Sequence, residues 1–199
     1  MRKGIALFCT VFMLVSSTYA QSNRVGVYVL PQYTFFNAKK FSFSSNPATE
    51  GKGFSFNGGI YYEKKWEFFG LSVGAGYAQM KTKEISQGIE ATYKRGFVSV
   101  PLGVNYEYDI TDNFFLGGQA TLALSLRLSE KKEVAGIDVS EEVGLSMYST
   151  YGVGLSFTYL FTDAVGLSVL PTFSATSGRG TPFYWGVGGQ IRFFYAFGD

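Results

Sequence analysis

Histidine is absent from this sequence, and cysteine occurs once, at Cys9. Without imidazole the chain lacks the usual acid–base group that titrates near neutral pH. Zinc sites built from His and Cys are excluded with it. A basic excess is also missing. Subtracting Arg2 and Lys3, which lie in the N-terminal segment discussed next, from 17 basic residues leaves 15, equal to the 15 acidic ones. A nucleic-acid partner would favour a basic face. After Val15 no apolar run approaches the roughly 20 residues that a membrane-spanning helix needs. Phosphate-binding glycine loops are lacking too. The G-x-G runs at Gly74–Gly76, Gly152–Gly154 and Gly186–Gly188 fall inside strand-like segments, where they indicate crowding.

The N-terminus supplies an address. Arg2 and Lys3 precede an apolar stretch from Ile5 to Val15, and Thr18-Tyr19-Ala20 puts small residues at the −3 and −1 positions before Gln21. This pattern predicts a cleaved secretory signal over residues 1–20 and an exported domain over 21–199. Cys9 departs with the signal, and its place after Phe8 does not suit a lipoprotein. The exported chain therefore holds no disulfide.

What the chain does have is 20 Phe, 14 Tyr and 25 Gly, with a mean hydropathy of +0.09. This composition leans toward β structure with close packing. Eight segments alternate with period two. The fourth, "FVSVPLGVNYEY", sets Val98, Val100, Leu102, Val104, Tyr106 and Tyr108 against Phe97, Ser99, Pro101, Gly103, Asn105 and Glu107. Successive strand side chains point to opposite sides, so one side is wholly apolar. The segment from Phe114 repeats the pattern, with Leu116, Leu122, Leu124, Leu126 and Leu128 on one side and Gln119, Thr121, Ser125 and Arg127 on the other. The segments match the roughly 9–11 residues of a tilted membrane-spanning strand. Short connections are predicted near Glu63–Trp66, Asp109–Asn113 and Phe161–Ala164. Long ones are predicted at about Phe36–Gly53, Lys81–Tyr93, Ser129–Ser146 and Ser174–Pro182. Alternating short turns and long loops are the asymmetry of outer-membrane barrels, with both termini in the periplasm.

The less apolar side is rich in Gly, Ser, Thr, Asn, Gln and Tyr but carries few charges. A water-facing surface would carry many, whereas a tight lumen demands small residues. Aromatics gather near both segment ends, as in interfacial girdles. The prediction is an all-β, eight-stranded, antiparallel, up-and-down transmembrane barrel, which pairs every backbone group without leaving edges. A soluble periplasmic barrel binding an apolar ligand is the reading from another class. Pro101 cannot donate to a ladder, and a bulge or a missing ladder bond is expected there.

On the "FVSVPLGVNYEY" strand, the "DITDNFFLGG" turn and strand after it, and the final "GVGGQIRFFYAF", the chain resembles the small eight-stranded outer-membrane β-barrel domain family, of the porin-family or PorT-like type. The last stretch is similar to a barrel-assembly signal, although Gly198 and Asp199 follow its final aromatic. The resemblance implies outer-membrane residence, contact with outer-membrane lipid and lipopolysaccharide, and insertion by the barrel-assembly machinery. Barrel enzymes of this size mostly use His with Ser or Asp, and no His is present. The expected role is therefore non-enzymatic and without a cofactor: a monomeric barrel, its lumen plugged by side chains, acting structurally or through its long loops on a surface or periplasmic protein partner. A small porin-like channel is the alternative.

Among inward-facing residues, Glu107 and Arg192 lie on opposite walls. The reading predicts a lumen network containing both, with Arg127, Tyr61, Asn105, Gln119 and Gln190 as further members. Asp138, Glu141 and Glu142 invite a calcium site, but Lys131 and Lys132 interleave and EF-hand spacing is absent, so a solvated loop is expected. The first long loop carries Lys39, Lys40 and Lys52, which could meet lipopolysaccharide phosphates or a surface partner.

Overall fold

The computed structural model describes residues 22–37, 48–86, 88–139, 145–178 and 183–198. The signal over residues 1–20, together with Lys39, Lys40, Glu141 and Glu142, lies outside the described residues.

Eight long strands form the molecule: β1 (Ser22–Asn37), β2 (Ala48–Trp66), β3 (Phe69–Ser86), β4 (Ile89–Thr111), β5 (Phe114–Val134), β6 (Ser146–Leu160), β7 (Val165–Gly178) and β8 (Tyr184–Phe197). Each pairs antiparallel with the next in sequence. β8 returns to β1, from Asn23↔Phe197 to Phe35↔Trp185, and closes the ring. A two-residue segment, Ile137–Asp138, folds back on the end of β5. Its turn, Ala135-Gly136, has positive φ at both residues (49° and 80°), which suits the twist of a tight hairpin.

The pleat runs inside out relative to a water-soluble barrel. Val27, Ile60 and Val153 point outward and are 53 %, 63 % and 59 % exposed, whereas the inward neighbours Tyr28, Tyr61 and Phe194 are at most 5 % exposed. The outer surface is a continuous apolar band, far beyond what soluble proteins leave uncovered. It is bounded by aromatic residues at both ends, such as Tyr106, Tyr159 and Tyr195 near the short turns and Phe54, Phe173 and Trp185 toward the opposite end. Hydrocarbon is the medium this surface fits, and the ring satisfies the backbone within it. A soluble barrel with an apolar interior is thereby excluded.

Glycine makes room for the bulky inward rings. A Cβ on Gly26 would lie 2.9 Å from both Tyr61 and Phe194, and one on Gly166 would run into the Phe194 ring.

At Pro101 the β3–β4 ladder passes from Val73↔Leu102 to Gly76↔Ser99 in unchanged register, and the two intervening pairs are missing. The proline removes ladder bonds without a bulge. The same interruption occurs beside Pro31, between Val29↔Ile191 and Gln32↔Gly188, and beside Pro171, between Gly154↔Thr172 and Phe157↔Val169. A bulge does form one strand away from Pro101. Gly96↔Ser129 is followed by Phe97↔Arg127, leaving Leu128 as the extra residue on β5.

The connections differ from the sequence reading. Glu63–Trp66 belongs to β2, and the turn is Glu67-Phe68, with φ 28° at Glu67. The spans read as long loops are largely strand. β3 and β4 continue to Ser86 and from Ile89, so Lys81–Tyr93 is the tip of a tall hairpin. β5 likewise extends through Ser129–Val134, and β7 through Gly178. Charged residues there sit on pleats that leave the apolar band, which mimics a loop in the sequence.

Candidate functional site in the barrel lumen

Three layers fill the lumen. They are described from the end with the short turns, called the lower end, to the end with the tall hairpins, called the upper end.

The lower layer is ionic. Glu107 on β4 accepts from Thr158 on β6 at 2.8 Å through Oε1. Its Oε2 lies 2.8 Å from Arg24 Nη1 on β1 and 3.0 Å from Lys65 Nζ on β2. Glu63 on β2 meets Arg24 at 3.5 Å, accepts from Asn105 Nδ2 at 2.9 Å, and lies 3.7 Å from Arg192 Nη1 on β8. Arg192 donates from Nε to Gln190 at 3.1 Å and stands over the Tyr61 ring at 4.9 Å. Arg24 and Lys65 cover the rings of Phe194 and Phe115. All five charged groups are at most 8 % exposed. Three cations face two carboxylates, and each carboxylate lies within ion-pair distance of two of them. Buried charges persist only under that condition.

The middle layer mixes neutral polar side chains with apolar ones, and Arg192 of the lower layer borders it. A cavity of about 120 Å³ lies among Tyr28, Gln32, Asn57, Gln119, Thr121 and Gln190. Gln32 donates to Ser174 at 3.1 Å, and Tyr28 donates to Asn57 at 3.3 Å.

The upper layer joins an aromatic plate to a second ion cluster. Phe36, Met80, Phe97, Tyr148 and Tyr184 pack together, with edge-to-face contacts at Phe36–Tyr184 and Phe97–Tyr148. Beside them Glu84 Oε1 receives Arg95 Nη1 at 2.8 Å, Tyr184 Oη at 2.5 Å and Thr82 Oγ1 at 3.0 Å. Glu130 Oε2 receives Arg95 Nε at 2.5 Å and Arg127 Nη1 at 2.8 Å. The Leu128 bulge is what turns Glu130 inward. Uninterrupted alternation would place it opposite to Arg127.

Of the seven residues proposed from sequence, Glu107, Arg192, Tyr61, Asn105 and Gln190 fall in the lower layer. Arg127 falls in the upper one, and Gln119 lines the cavity between. Glu107 and Arg192 do not touch each other. Arg24 and Glu63 stand between them, because β1 and β2 project these two groups toward the axis at the same level. Arg24, Glu63, Lys65, Glu84, Arg95 and Glu130 were not among the proposed residues. Arg24 and Lys65 share parity with Tyr28 and Tyr61, which is the signal that could have found them.

Chemically, both clusters are spent on holding the wall. Their carboxylates are engaged by cations and hydroxyls. Among the described residues no group of three or more Cys, Asp or Glu could hold a metal ion. Asp138 sits in the short hairpin opposite Glu133.

No protein-family model and no curated protein matches the sequence. Solved structures do match the fold. Neisserial surface protein A (NspA) superposes with a TM-score of 0.52 and 14 % identity, over 85 % of this chain and 95 % of that one. Ail, the attachment invasion locus protein of Yersinia pestis, gives 0.46 and 14 %, over 88 % and 99 %. The outer-membrane protease OmpT of Escherichia coli gives 0.42 and 9 %, over 89 % and 97 %. With its apolar band facing outward, the chain is an outer-membrane β-barrel protein.

Proposed function

We propose that this protein is a non-enzymatic outer-membrane barrel, closed to solutes, that works through the hairpins it raises above the membrane. It is read as a monomer of the porin-family, PorT-like kind, with both termini in the periplasm and the upper end outside the cell. Insertion is by the barrel-assembly machinery. Its contacts are outer-membrane lipid, lipopolysaccharide, and a surface or periplasmic protein partner.

The observation that carries this reading is the pair of ion clusters crossing the lumen. Arg24–Glu107 and Arg192–Glu63 span the lower end, and Arg95–Glu84–Tyr184 spans the upper. A solute would have to break buried, paired charges at both ends. The cavity between them favours the second reading, a small channel, because it leaves open space lined in part by polar groups such as Gln32, Asn57 and Gln119. Planar-bilayer recording separates the two. Purified barrel should give no stable conductance step, and a large reproducible one would overturn the closed-lumen reading.

A further inference from the structure

The outer face of the tall hairpins carries an arrangement that a solvated surface would avoid. Lys81, Lys94 and Lys131 are direct cross-strand neighbours on β3, β4 and β5, all pointing outward. One pleat higher, Lys52 on β2 is opposite Lys83 on β3. Like charges placed directly opposite destabilise a sheet, since their Cβ atoms lie roughly 5 Å apart. Carboxylates answer only part of the charge. Lys94 pairs with Glu133 at 2.6 Å and Lys83 with Glu90 at 2.8 Å, both half-exposed, while Lys52, Lys81 and Lys131 have no ion pair among the described residues.

The position of the row is as informative as its charge. Four residues below Lys81, roughly 13 Å along the strand, Tyr77 begins the apolar band, continued sideways by Val98 and Leu126. Between row and band Gly96 is buried under two hydroxyls. A Cβ there would come within 2.5 Å of Tyr77 Oη and 2.7 Å of Ser129 Oγ, so glycine is what lets both hydroxyls lie at this level of the wall. Ammonium groups above, hydroxyls in the middle and hydrocarbon below match, in order, the phosphates, sugar hydroxyls and acyl chains of a phosphorylated glycolipid.

We infer that the outer wall of β3–β5 binds the phosphorylated saccharide headgroup of an outer-leaflet glycolipid, with its phosphates on Lys81, Lys94 and Lys131. Lysine suits phosphate as a compact point charge. A soluble phosphate would use the row but not the band. The inference rests on the upper end lying outside the cell and deepens the lipid contact proposed above.

The test uses the full exported barrel in neutral phospholipid nanodiscs with deep-rough lipopolysaccharide as probe. Saturable binding is expected, with inorganic phosphate failing to compete at the same concentration. The triple variant Lys81→Gln/Lys94→Gln/Lys131→Gln should bind roughly 100-fold more weakly, whereas Lys64→Gln at the lower girdle should bind as the parent does. Without lipopolysaccharide the triple variant should unfold at the same temperature as the parent or higher, because the opposed charges are gone. Its binding unchanged, Lys64→Gln equally impaired, or free phosphate competing fully would each overturn the site. Orientation is read separately, by labelling Lys81→Cys on intact cells with a membrane-impermeant maleimide. Labelling supports an outer-leaflet ligand. Protection there with nanodisc binding intact would overturn the orientation while leaving the site.

Discussion

Replacing Glu107 with alanine probes the lower cluster where it is most connected. The carboxylate serves Thr158, Arg24 and Lys65 at 2.8, 2.8 and 3.0 Å. Its removal leaves three buried cations facing one carboxylate, Glu63. Arg24 keeps Glu63 at 3.5 Å, and Lys65 loses its ion pair while keeping its place over Phe115. Breaking a buried pair from one side costs about 3–5 kcal/mol, because a desolvated charge is stranded. With a urea slope of roughly 2 kcal/mol per molar, the midpoint should fall by about 2 M. Trp66 and Trp185 report unfolding from lipid vesicles by fluorescence. The compensated variant Glu107→Ala/Lys65→Met restores the parent's net charge and should recover about half of the loss. Glu133→Ala, which frees the half-exposed Lys94, is the control and should cost under about 1 kcal/mol. A loss below about 1 kcal/mol for Glu107→Ala would refute the view that these charges are buried and mutually dependent.

Other outcomes follow from the same geometry. Val100→Arg puts a charge on the lipid-facing wall and should cost about 2–4 kcal/mol in vesicle unfolding; a negligible loss would mean that the wall does not face hydrocarbon. If the lumen is closed at both ends, Arg24→Ala and Arg95→Ala should each remain silent in bilayer recordings. The double variant should be the first to conduct, with heat-modifiable gel mobility confirming that it folds. Gly59→Val drives a side chain against the backbone of Ala75 and Gly76, and should cost about 1–3 kcal/mol. Gly189→Ala meets nothing within 4 Å and should change stability by less than about 0.5 kcal/mol.

The facing of the wall was legible because hydrocarbon enforces a strict alternation: every residue of the "FVSVPLGVNYEY" stretch points where its parity places it. The strand ends were not legible by the same rule. Above the aromatic belt the outward positions turn from Phe54 and Tyr77 to Lys52, Lys81 and Lys83, so charge entered the sequence without the strand ending. The lower cluster was half visible. Glu107 and Arg192 stand inside apolar strands, whereas Arg24 and Lys65 lie beside the turns and resemble solvated ends. Glu130 could not be reached from parity, because the Leu128 bulge reverses it. Pro101 was legible as a disturbance, and of the two outcomes expected there the missing ladder bonds are the one found, since the ladder tolerates a two-pair gap more readily than a shift that would turn the Val100 side of β4 inward.

The cross-lumen contacts have a consequence for assembly. Arg24–Glu107 links β1 to β4, Lys65–Glu107 links β2 to β4, Arg192–Glu63 links β8 to β2, and Tyr184–Glu84 links β8 to β3. None of these strand pairs are neighbours in the sheet. A growing, still-open sheet can form every ladder except that of β8 with β1, yet it cannot form one of these contacts until it curls. Ladder bonds reward adding strands, whereas the charges reward only the finished cylinder. Arrival of β8 therefore delivers both the last seam and the partners that Glu63 and Glu84 lack until then, so a barrel that stalls one strand short is penalised on its inside as well as at its edge.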